Sequence, residues 1–333
     1  MTIYDIAAGA GVSIASVSRF FNHPDLLSES IQQKIRKVLE NNDYIPNQMA
    51  RGLALNSTKT IGVMMSDMSH QRFSLIASYL EQAFFDWGYN TVFCNTGDDQ
   101  RKMQQYLFML SSRRIDALIL VGSVFASFNM KEDLEKYFGE DVPVLTSDLD
   151  LDMPNCFSVT PDHNHGIRSA IKHLAERGHE YIAFVAGTGS LNTNRKIDAF
   201  LRALAEYDLP INIDSNVIHL PFSAADDPDL DFSAVVKQTG IPYTGLIFSH
   251  DQFAARAVSS LIFHGYKVPG DFAVIGYDNS AYSLCCQPTL TTIDTQPRSI
   301  ARVIANQVND IFHHRDVGNS VIIRPSLVIR SST

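Results

Sequence analysis

The sequence predicts an α/β protein in which a small all-helical head precedes a larger core of parallel sheets with helices on both faces. Residues 1–45 carry only helical patterns, whereas from Ile61 onward short apolar strands alternate with amphipathic helices. This alternation is typical of parallel sheets covered by helices. About ten strands are predicted, too many for one comfortable core, so we expect two similar lobes.

Residues 2–22 predict two short helices joined by a tight turn. Thr2 and Asp5 have the spacing of a capping box, which places the start of the first helix near Ile3. Gly11 breaks this helix, and Ser13 offers an N-cap oxygen to the second one. A glycine in such a turn is typical of a helix-turn-helix. A helical hairpin inside a larger core remains the alternative at this point.

The second helix has an outward face that suits the major groove of DNA. Val17 and Phe21 are spaced to pack back on the first helix, which leaves small, hydroxyl and arginine residues outside. Serine hydroxyls and helix N–H groups can hold phosphates, and arginine pairs with guanine. The residues on or near the outward face are Ile14, Ala15, Ser16, Ser18, Arg19 and Asn22.

Two further helices are predicted before the core. Ser28 is expected to cap a third helix that reaches about Asn41 and completes a head of residues 1–45. Asn47 can cap a short helix from Gln48 to Leu55, within a hinge and linker of residues 46–60. This helix is too short to be stable alone, so we expect it to fold only when bound. A plain linker helix packed on the head is the alternative.

The core is expected to span residues 61–333 in two lobes, the first at about 61–158 and 290–320 and the second at about 159–289 and 321–333. Ligands of open α/β sheets bind beyond the carboxyl ends of the strands. Here those ends carry carboxylates, an Arg/Lys pair, a histidine and aromatics, which predict a cleft for a sugar or another small hydroxylated ligand. For Asp251, a helix N-cap is an equally good interpretation.

The composition of the chain and the distribution of its charge restrict the functions that we expect. No apolar run is long enough to span a membrane, and Met1 leads directly into a capped helix, so we expect no signal peptide and a cytoplasmic protein. Net charge is −9, with +1 on residues 1–60 and −10 on the rest. Non-specific affinity for the phosphates of DNA should therefore be modest. Specific contacts and dimerisation must supply the rest of the affinity for DNA. Cys94, Cys156, Cys285 and Cys286 lack metal-binding spacing and are expected to be reduced.

Motifs of catalysis are missing from the sequence. The segment Gly187-Thr188-Gly189 departs from the dinucleotide-binding fingerprint, and no Walker A, G-x-S-x-G or H-E-x-x-H motif is present. The pairs His163/His165 and His313/His314 lack the further ligands of a metal site and are expected at the surface. We therefore expect no enzyme, no cofactor and no metal.

Several motifs together resemble the lactose-repressor/galactose-repressor (LacI/GalR) family of bacterial transcription regulators, over essentially the full length. They are I-Y-D-I-A-x-x-A-G-V-S-x-x-S-V-S-R at 3–19, Y-I-P-N-x-x-A-R-x-L at 44–53, T-K-T-I-G-V at 58–63, E-R-G-H at 176–179, H-D-Q-F-A at 250–254, V-I-G-Y-D-N at 274–279 and P-x-L-T-T-I at 288–293. The resemblance implies a DNA-binding head, a hinge helix and a core like the periplasmic sugar-binding proteins. It further implies a homodimer on a near-palindromic operator, switched by a small effector in the cleft. The chain stops without a leucine-heptad tail, so a dimer is expected and not a tetramer.

The family's functional positions carry over to particular residues here. The resemblance implies that Ile14, Ala15 and Arg19 read bases and that Ser13, Ser16, Ser18 and Asn22 lie near phosphates. Leu53 matches the hinge leucine that wedges into the minor groove, with Ala50 beside it and Asn47 at the start of the hinge helix. Effector contacts are implied at Phe73, Asp148, Arg195 or Lys196, Phe222, His250 and Asp278.

The chain departs from the family in the cleft. Lys196 stands where the family usually has an arginine, and Arg195 precedes it; lysine cannot make arginine's bidentate fork. His250-Asp251 replaces the Asn-Asp of sugar-responsive members, and His70-Gln71-Arg72 replaces an Asn-Pro pair. The expected function is repression of a sugar-utilisation or related metabolic operon. A solute-binding receptor, or a regulator controlled by a protein partner, is the alternative.

Overall fold

The computed structural model describes residues 2–22, 24–41, 57–127, 129–187, 190–221, 227 and 230–333. The chain forms two compact units, Met1–Thr58 and Lys59–Thr333. The predicted hinge helix, residues 48–55, lies outside the described residues.

The first unit contains the predicted helix-turn-helix. Helix α1 spans Ile3–Ala10, α2 spans Ile14–Asn22 and α3 spans Glu29–Glu40, with a 3-10 turn at Pro24–Leu26. The capping box is confirmed, since Asp5 N donates to Thr2 Oγ1 and Thr2 N donates to the Asp5 carboxylate. Gly11 has φ 62°, a left-handed conformation that glycine adopts easily, and it ends α1. Ser13 Oγ accepts from Ser16 N at 3.1 Å and so caps α2 as predicted.

The three helices of this unit share a small apolar core. Its buried residues are Ile6, Ala7, Ala10, Val17 and Ile35. Ser28 does occupy the N-cap position of α3, but its hydroxyl makes no capping hydrogen bond. The start of α3 was therefore predicted correctly, while the chemistry of its cap was not.

The second unit alternates strands and helices along the chain. Its strands are β1 (Thr60–Met65), β2 (Asn90–Asn95), β3 (Ala117–Val121), β4 (Val144–Ser147), β5 (Cys156–Pro161), β6 (Ile182–Gly187), β7 (Val217–Leu220), β8 (Gly245–Phe248), β9 (Ala273–Tyr277), β10 (Thr291–Asp294), β11 (Ser320–Ile323) and β12 (Ser326–Val328). Its helices are α4 (Gln71–Asp86), α5 (Gln100–Ser112), α6 (Met130–Phe138), α7 (His163–Ala175), α8 (Leu191–Glu206), α9 (Ile213–Asn216), α10 (Phe232–Gln238), α11 (Asp251–Phe263), α12 (Tyr282–Cys285) and α13 (Pro297–Phe312).

These strands form two sheets of the same design. Among the described residues the first sheet has the order β11-β5-β4-β3-β1-β2 and the second has the order β12-β10-β9-β8-β6-β7. Among the strands described, every pairing is parallel except that of β12, which runs antiparallel to β10. We call the first sheet with its helices the first lobe, and the second sheet with its helices the second lobe. The predicted α/β fold with two similar lobes is confirmed.

Apolar side chains cover both faces of each sheet, which explains why the strands are nearly continuous apolar runs. In β1, Val63 and Met65 pack on one face with α4 and α13, whereas Met64 packs on the other with α5 and α6. The second sheet is covered in the same way, with α10 and α11 on one face and α7 and α8 on the other.

The predicted lobe boundaries were wrong in three places. Strand β10 belongs to the second sheet, where it pairs with β9 and β12, although residues 290–293 were assigned to the first lobe. Strand β11 belongs to the first sheet beside β5, and β5 itself continues to Pro161. A strand of four residues carries too little sequence pattern to show which of the two sheets it joins. Helix α13 does lie on the first lobe, as predicted.

None of the helices in the described parts of the chain is both long and apolar enough to cross a membrane.

Candidate functional site

The predicted cleft residues gather where the carboxyl ends of the strands of both lobes meet. His70 precedes α4, Asp148 follows β4, His250 follows β8 and Asp278 follows β9, while Lys196 comes from the second turn of α8. This is the edge of a parallel sheet at which ligands bind. The prediction that these residues share one site is therefore consistent with the geometry.

An ion pair at the centre of the cleft joins Arg72 to Asp148. The two guanidinium Nη atoms donate to the two carboxylate oxygens at 2.6 and 2.8 Å, and the side chains are 5% and 0% exposed. Burial alone would raise the pKa of Asp148, but the Arg72 charge and its hydrogen bonds hold it below the usual value. Both oxygens of Asp148 thus accept hydrogen bonds from Arg72.

Arg72 also links the two lobes. Its Nε donates to Thr295 Oγ1 at 3.1 Å and lies 3.8 Å from Asp278 Oδ1. Thr295 follows β10 and Asp278 follows β9, so a residue of the first lobe contacts two strand ends of the second. Arg72 was not among the predicted site residues. The departure from the family at His70-Gln71-Arg72 was the signal that could have identified it.

The two adjacent basic residues of α8 have different partners. Lys196 is buried, donates to the Ser249 carbonyl at 2.9 Å, and places Nζ 3.8 Å from the centre of the Tyr277 ring. Burial lowers the pKa of Lys196 to about 8. Arg195 instead donates to the Asp148 carbonyl at 3.2 Å, across the cleft.

His163 lies behind this cluster and not at the surface, where it was predicted. It is 8% exposed, and its Nδ1 lies 2.6 Å from the hydroxyl of Tyr277. Burial lowers the pKa of His163 to about 3, so the ring is neutral at physiological pH. The positive charge of Lys196 contributes to this lowering of the pKa.

Two histidines and an aromatic ring line one wall of the cleft. The His70 ring stacks on Phe73 with centroids 4.5 Å apart, and it meets His250 edge-on at 5.2 Å. His70 Nε2 lies 3.9 Å from Asp278 Oδ2. Burial lowers the pKa values of both His70 and His250, which favours neutral rings. One ligand-type atom from each of His70, His250 and Asp278 lies within 4.8 Å of the other two.

The two carboxylates of the cleft stand on unusual backbone conformations. Asp148 has φ 76° and Asp278 has φ 100°. Residues with a Cβ seldom adopt positive φ, although aspartate does so more often than most. Arg72 contacts both of these residues, since it donates to the Asp148 carboxylate and lies 3.8 Å from Asp278 Oδ1.

Asp251 serves the structure of the second lobe. It is not the N-cap of α11, because His250 holds that position. Its carboxylate accepts from Ser280 N at 2.6 Å and from Thr292 Oγ1 at 2.5 Å. Burial raises the pKa of Asp251 to about 7. A Cβ on Gly276 would stand 2.1 Å from its Oδ1, so this site requires glycine.

Two further hydrogen bonds hold the lobes together at the cleft. Gln71 Oε1 accepts from Ala281 N at 2.6 Å, and Ser123 Oγ accepts from Asn192 N at 3.4 Å. The buried amide oxygen of Asn192 has no hydrogen-bond partner within the described chain. It is therefore a further candidate ligand contact. A polar cavity of about 350 Å³ opens beside Asp278 toward the crossovers between the lobes.

On the head, the predicted base-reading residues are exposed. Ile14 is 44% exposed, and Ala15, Arg19 and Ser13 are exposed beside it on the outer side of α2. Ser16 and Ser18 are partly buried. Their contacts with DNA remain predictions. The side chain of Asn22 and the residues Asn47, Ala50, Leu53 and Phe222 lie outside the described part of the chain.

Comparisons with known families agree with this geometry. Residues 2–47 match the family described as bacterial regulatory proteins, lacI family, and residues 171–333 match a periplasmic binding protein-like domain. An HTH-type transcriptional regulator of Lachnoclostridium phytofermentans is 32% identical over 335 residues, covering 100% of this chain and 99% of the relative. The HTH-type transcriptional repressor PurR of Vibrio parahaemolyticus is 30% identical over 336 residues, covering 99% and 98%.

Solved structures share the whole architecture. The lac repressor dimer bound to operator and the anti-inducer ONPF has a TM-score of 0.85 and 25% identity, covering 100% of this chain and 98% of that one. The transcriptional regulator CelR in complex with cellobiose has a TM-score of 0.71 and 21% identity over the full length of both chains. The second likeness concerns the fold alone.

Proposed function

Because the chain belongs to the LacI family of bacterial regulatory proteins, we propose that this DNA-binding regulator represses transcription as a homodimer on a near-palindromic operator. A small molecule in the cleft between the lobes controls that binding. The effector is a sugar or a sugar derivative, and the regulated genes serve its use or a related metabolic step.

The helix-turn-helix supports the DNA-binding part of the proposal. Helix α2 presents Ile14, Ala15 and Arg19 on its exposed side while Val17 is buried against α1. A helix of this kind lies in the major groove with its first turns at the base edges. Arg19 is the only basic residue of residues 1–22, so general attraction to phosphate is weak and a second copy of the head must add affinity. The lac repressor structure with operator, a dimer by its description, accords with this.

The observation that carries the effector proposal is the position of Arg72. Arg72 donates to Asp148 of the first lobe and lies 3.8 Å from Asp278 of the second. Its guanidinium is therefore a cationic hydrogen-bond donor fixed between the two halves of the cleft. Carboxylates accept hydrogen bonds from hydroxyls, and the Phe73–His70 stack offers a flat apolar face. Together these groups suit a compact, hydroxylated ring.

We propose that effector binding changes the closure of the lobes and thereby the spacing of the two heads. The short hinge of residues 46–60 would be helical only when two copies pair on DNA, with Leu53 wedged into the minor groove. An effector that prefers one closure shifts the population of DNA-competent dimers, with a coupling of about 1–3 kcal/mol.

The test uses the full-length protein. Selection from random DNA should yield a near-palindromic site bound by two chains, as measured by sedimentation of the complex. A thermal-shift screen over sugars, sugar phosphates and nucleobases should then find a compound that raises Tm and alters affinity for that site. A Lys196→Met variant should lose the thermal shift and keep operator binding. If no small molecule moves Tm or affinity, the effector half of the proposal is wrong, and control by a protein partner replaces it.

A further inference from the structure

Three metal-ligating side chains meet in the cleft, and they come from both lobes. His70 precedes α4 of the first lobe, whereas His250 and Asp278 follow β8 and β9 of the second. One donor atom from each lies within 4.8 Å of the other two. A tetrahedral ion with ligands at about 2.0–2.2 Å would set such atoms about 3.4 Å apart, so a shift of about 1 Å completes the site.

The His70 ring is held by stacking on Phe73 and by an edge contact with His250, and not by hydrogen bonds to its nitrogens within the described chain. Its buried Nδ1 makes no hydrogen bond to any described residue, and its Nε2 lies 3.9 Å from Asp278 Oδ2, which is too far for one. A buried polar nitrogen without a partner costs free energy, so such groups call for an explanation. A metal ion bound by this imidazole would give it a strong interaction beside the Asp278 carboxylate, which Nε2 approaches to 3.9 Å.

The contacts around the three donors are compatible with a bound metal ion. Ser249 Oγ lies 3.0 Å from His250 Nδ1 and can orient that ring, as second partners of metal-bound histidines commonly do. Of the cations nearby, Arg72 is neutralised by Asp148, and Lys196 is held by the Ser249 carbonyl and the Tyr277 ring.

We propose that His70, His250 and Asp278 bind one divalent transition-metal ion that links the two lobes. Two imidazoles and one carboxylate suit Zn²⁺, Co²⁺ or Ni²⁺, whereas Mg²⁺ and Ca²⁺ prefer oxygen ligands. Three protein ligands leave a coordination position for water or for an oxygen of a cleft ligand. The ion draws His70 toward the second lobe and so favours the closed arrangement.

The experiment titrates the full-length protein with ZnCl₂ in the absence of DNA, so its outcome does not depend on the operator or on the effector. We expect one Zn²⁺ per chain by calorimetry and a rise in Tm that increases with metal concentration. His70→Ala and Asp278→Asn should each weaken binding by at least about tenfold. His219→Ala, which removes an exposed histidine of β7, is the matched control and should bind as the wild type does.

Two further variants separate the loss of a metal ligand from a loss of folding and from binding by cysteines. If His70→Ala lowers Tm in the absence of metal, the variant His70→Gln is used in its place. The variant Cys285→Ser/Cys286→Ser removes the exposed Cys285 and its neighbour, two soft ligands that could compete for the ion. It should leave the affinity unchanged, and the Co²⁺ complex should show no thiolate charge-transfer band. Absence of binding, binding that survives His70→Ala, or binding lost with the cysteines would each overturn the proposal.

Discussion

Arg72 and Asp148 form a two-pronged ion pair in the cleft between the lobes, with N···O distances of 2.6 and 2.8 Å. Both side chains are almost completely withdrawn from water, at 5% and 0% exposure. Taking two charges out of water is costly, and the pair is tolerable only because the geometry is good and because Thr295 satisfies the remaining Nε. The stability of the core and the shape of the cleft therefore depend on the same contact.

Replacing Asp148 by Asn should destabilise the core strongly. The Arg72 charge would remain buried without a carboxylate, and the loss of one partner of such a pair costs about 3–5 kcal/mol. Urea unfolding followed by circular dichroism measures this change. Glu206→Gln is the control, because Glu206 pairs with Arg168 at the exposed surface and should matter little. Equal effects of the two substitutions would contradict the role assigned to the buried pair.

Gly276→Ala should destabilise the second lobe by about 1–3 kcal/mol, because the new Cβ overlaps with the Asp251 carboxylate at 2.1 Å. Moving that carboxylate would break its bonds to Ser280 and Thr292. Gly318→Ala is the matched control, since a Cβ there meets nothing within 4 Å. In an Asp251→Ala background the same Gly276→Ala change should cost much less. A cost that stays the same in that background would show that the overlap is not the cause.

His163 should make the core sensitive to acid. Its pKa in the folded protein is about 3, against about 6.5 for an unperturbed histidine, so the unfolded chain takes up a proton first as pH falls. The contribution of the neutral His163 ring to the free energy of unfolding is therefore fully present above about pH 6.5. It is lost progressively as the pH falls toward about 3.

Urea unfolding between about pH 7 and about pH 5 should therefore show a smaller loss of stability for His163→Gln than for the wild type. His219→Gln, at an exposed position, should retain the wild-type slope. Identical slopes for all three proteins would mean that His163 does not titrate as its burial requires.

Much of this architecture could be predicted from local patterns in the sequence. The capping box at Thr2 and Asp5 and the left-handed Gly11 act within a few residues, so the boundaries of α1 follow from the sequence alone. Alternation of apolar strands with helices likewise predicts parallel sheets. The sheet to which a strand belongs could not be predicted in the same way. Strands β10 and β11 have only four residues each, and the first sheet and the second sheet are both built from segments distant in the chain.

Part of the cleft could also be predicted, because the order of strands and helices determines which residues follow the strand ends. Asp148, Lys196, His250 and Asp278 follow or adjoin strand ends, so topology alone brings them together. The ion pair of Arg72 could not be predicted, because it joins residues 76 positions apart and neither motif nor spacing connects them. Burial of His163 beneath Tyr277 is also a tertiary effect, since its neighbour Asn164 on the same helix is exposed.

Arg19→Ala should lower affinity for the selected operator by about 1–3 kcal/mol and relax the preference at the base it contacts. Arg19 is exposed near the end of α2, and a guanidinium there can donate two hydrogen bonds to one guanine, which no other base accepts equally well. Fluorescence anisotropy on the selected site and on single-base variants of it measures both quantities.

Arg36→Ala provides the control for charge, because Arg36 is also exposed but lies on α3 and hydrogen-bonds Gln32. It should leave the ranking of the variant sites unchanged. If Arg19→Ala weakened all sequences equally and reduced the salt dependence, Arg19 would contact a phosphate and not a base. Sequence preference would then have to come from Ile14 and Ala15, which can read only the methyl groups and the shape of the groove.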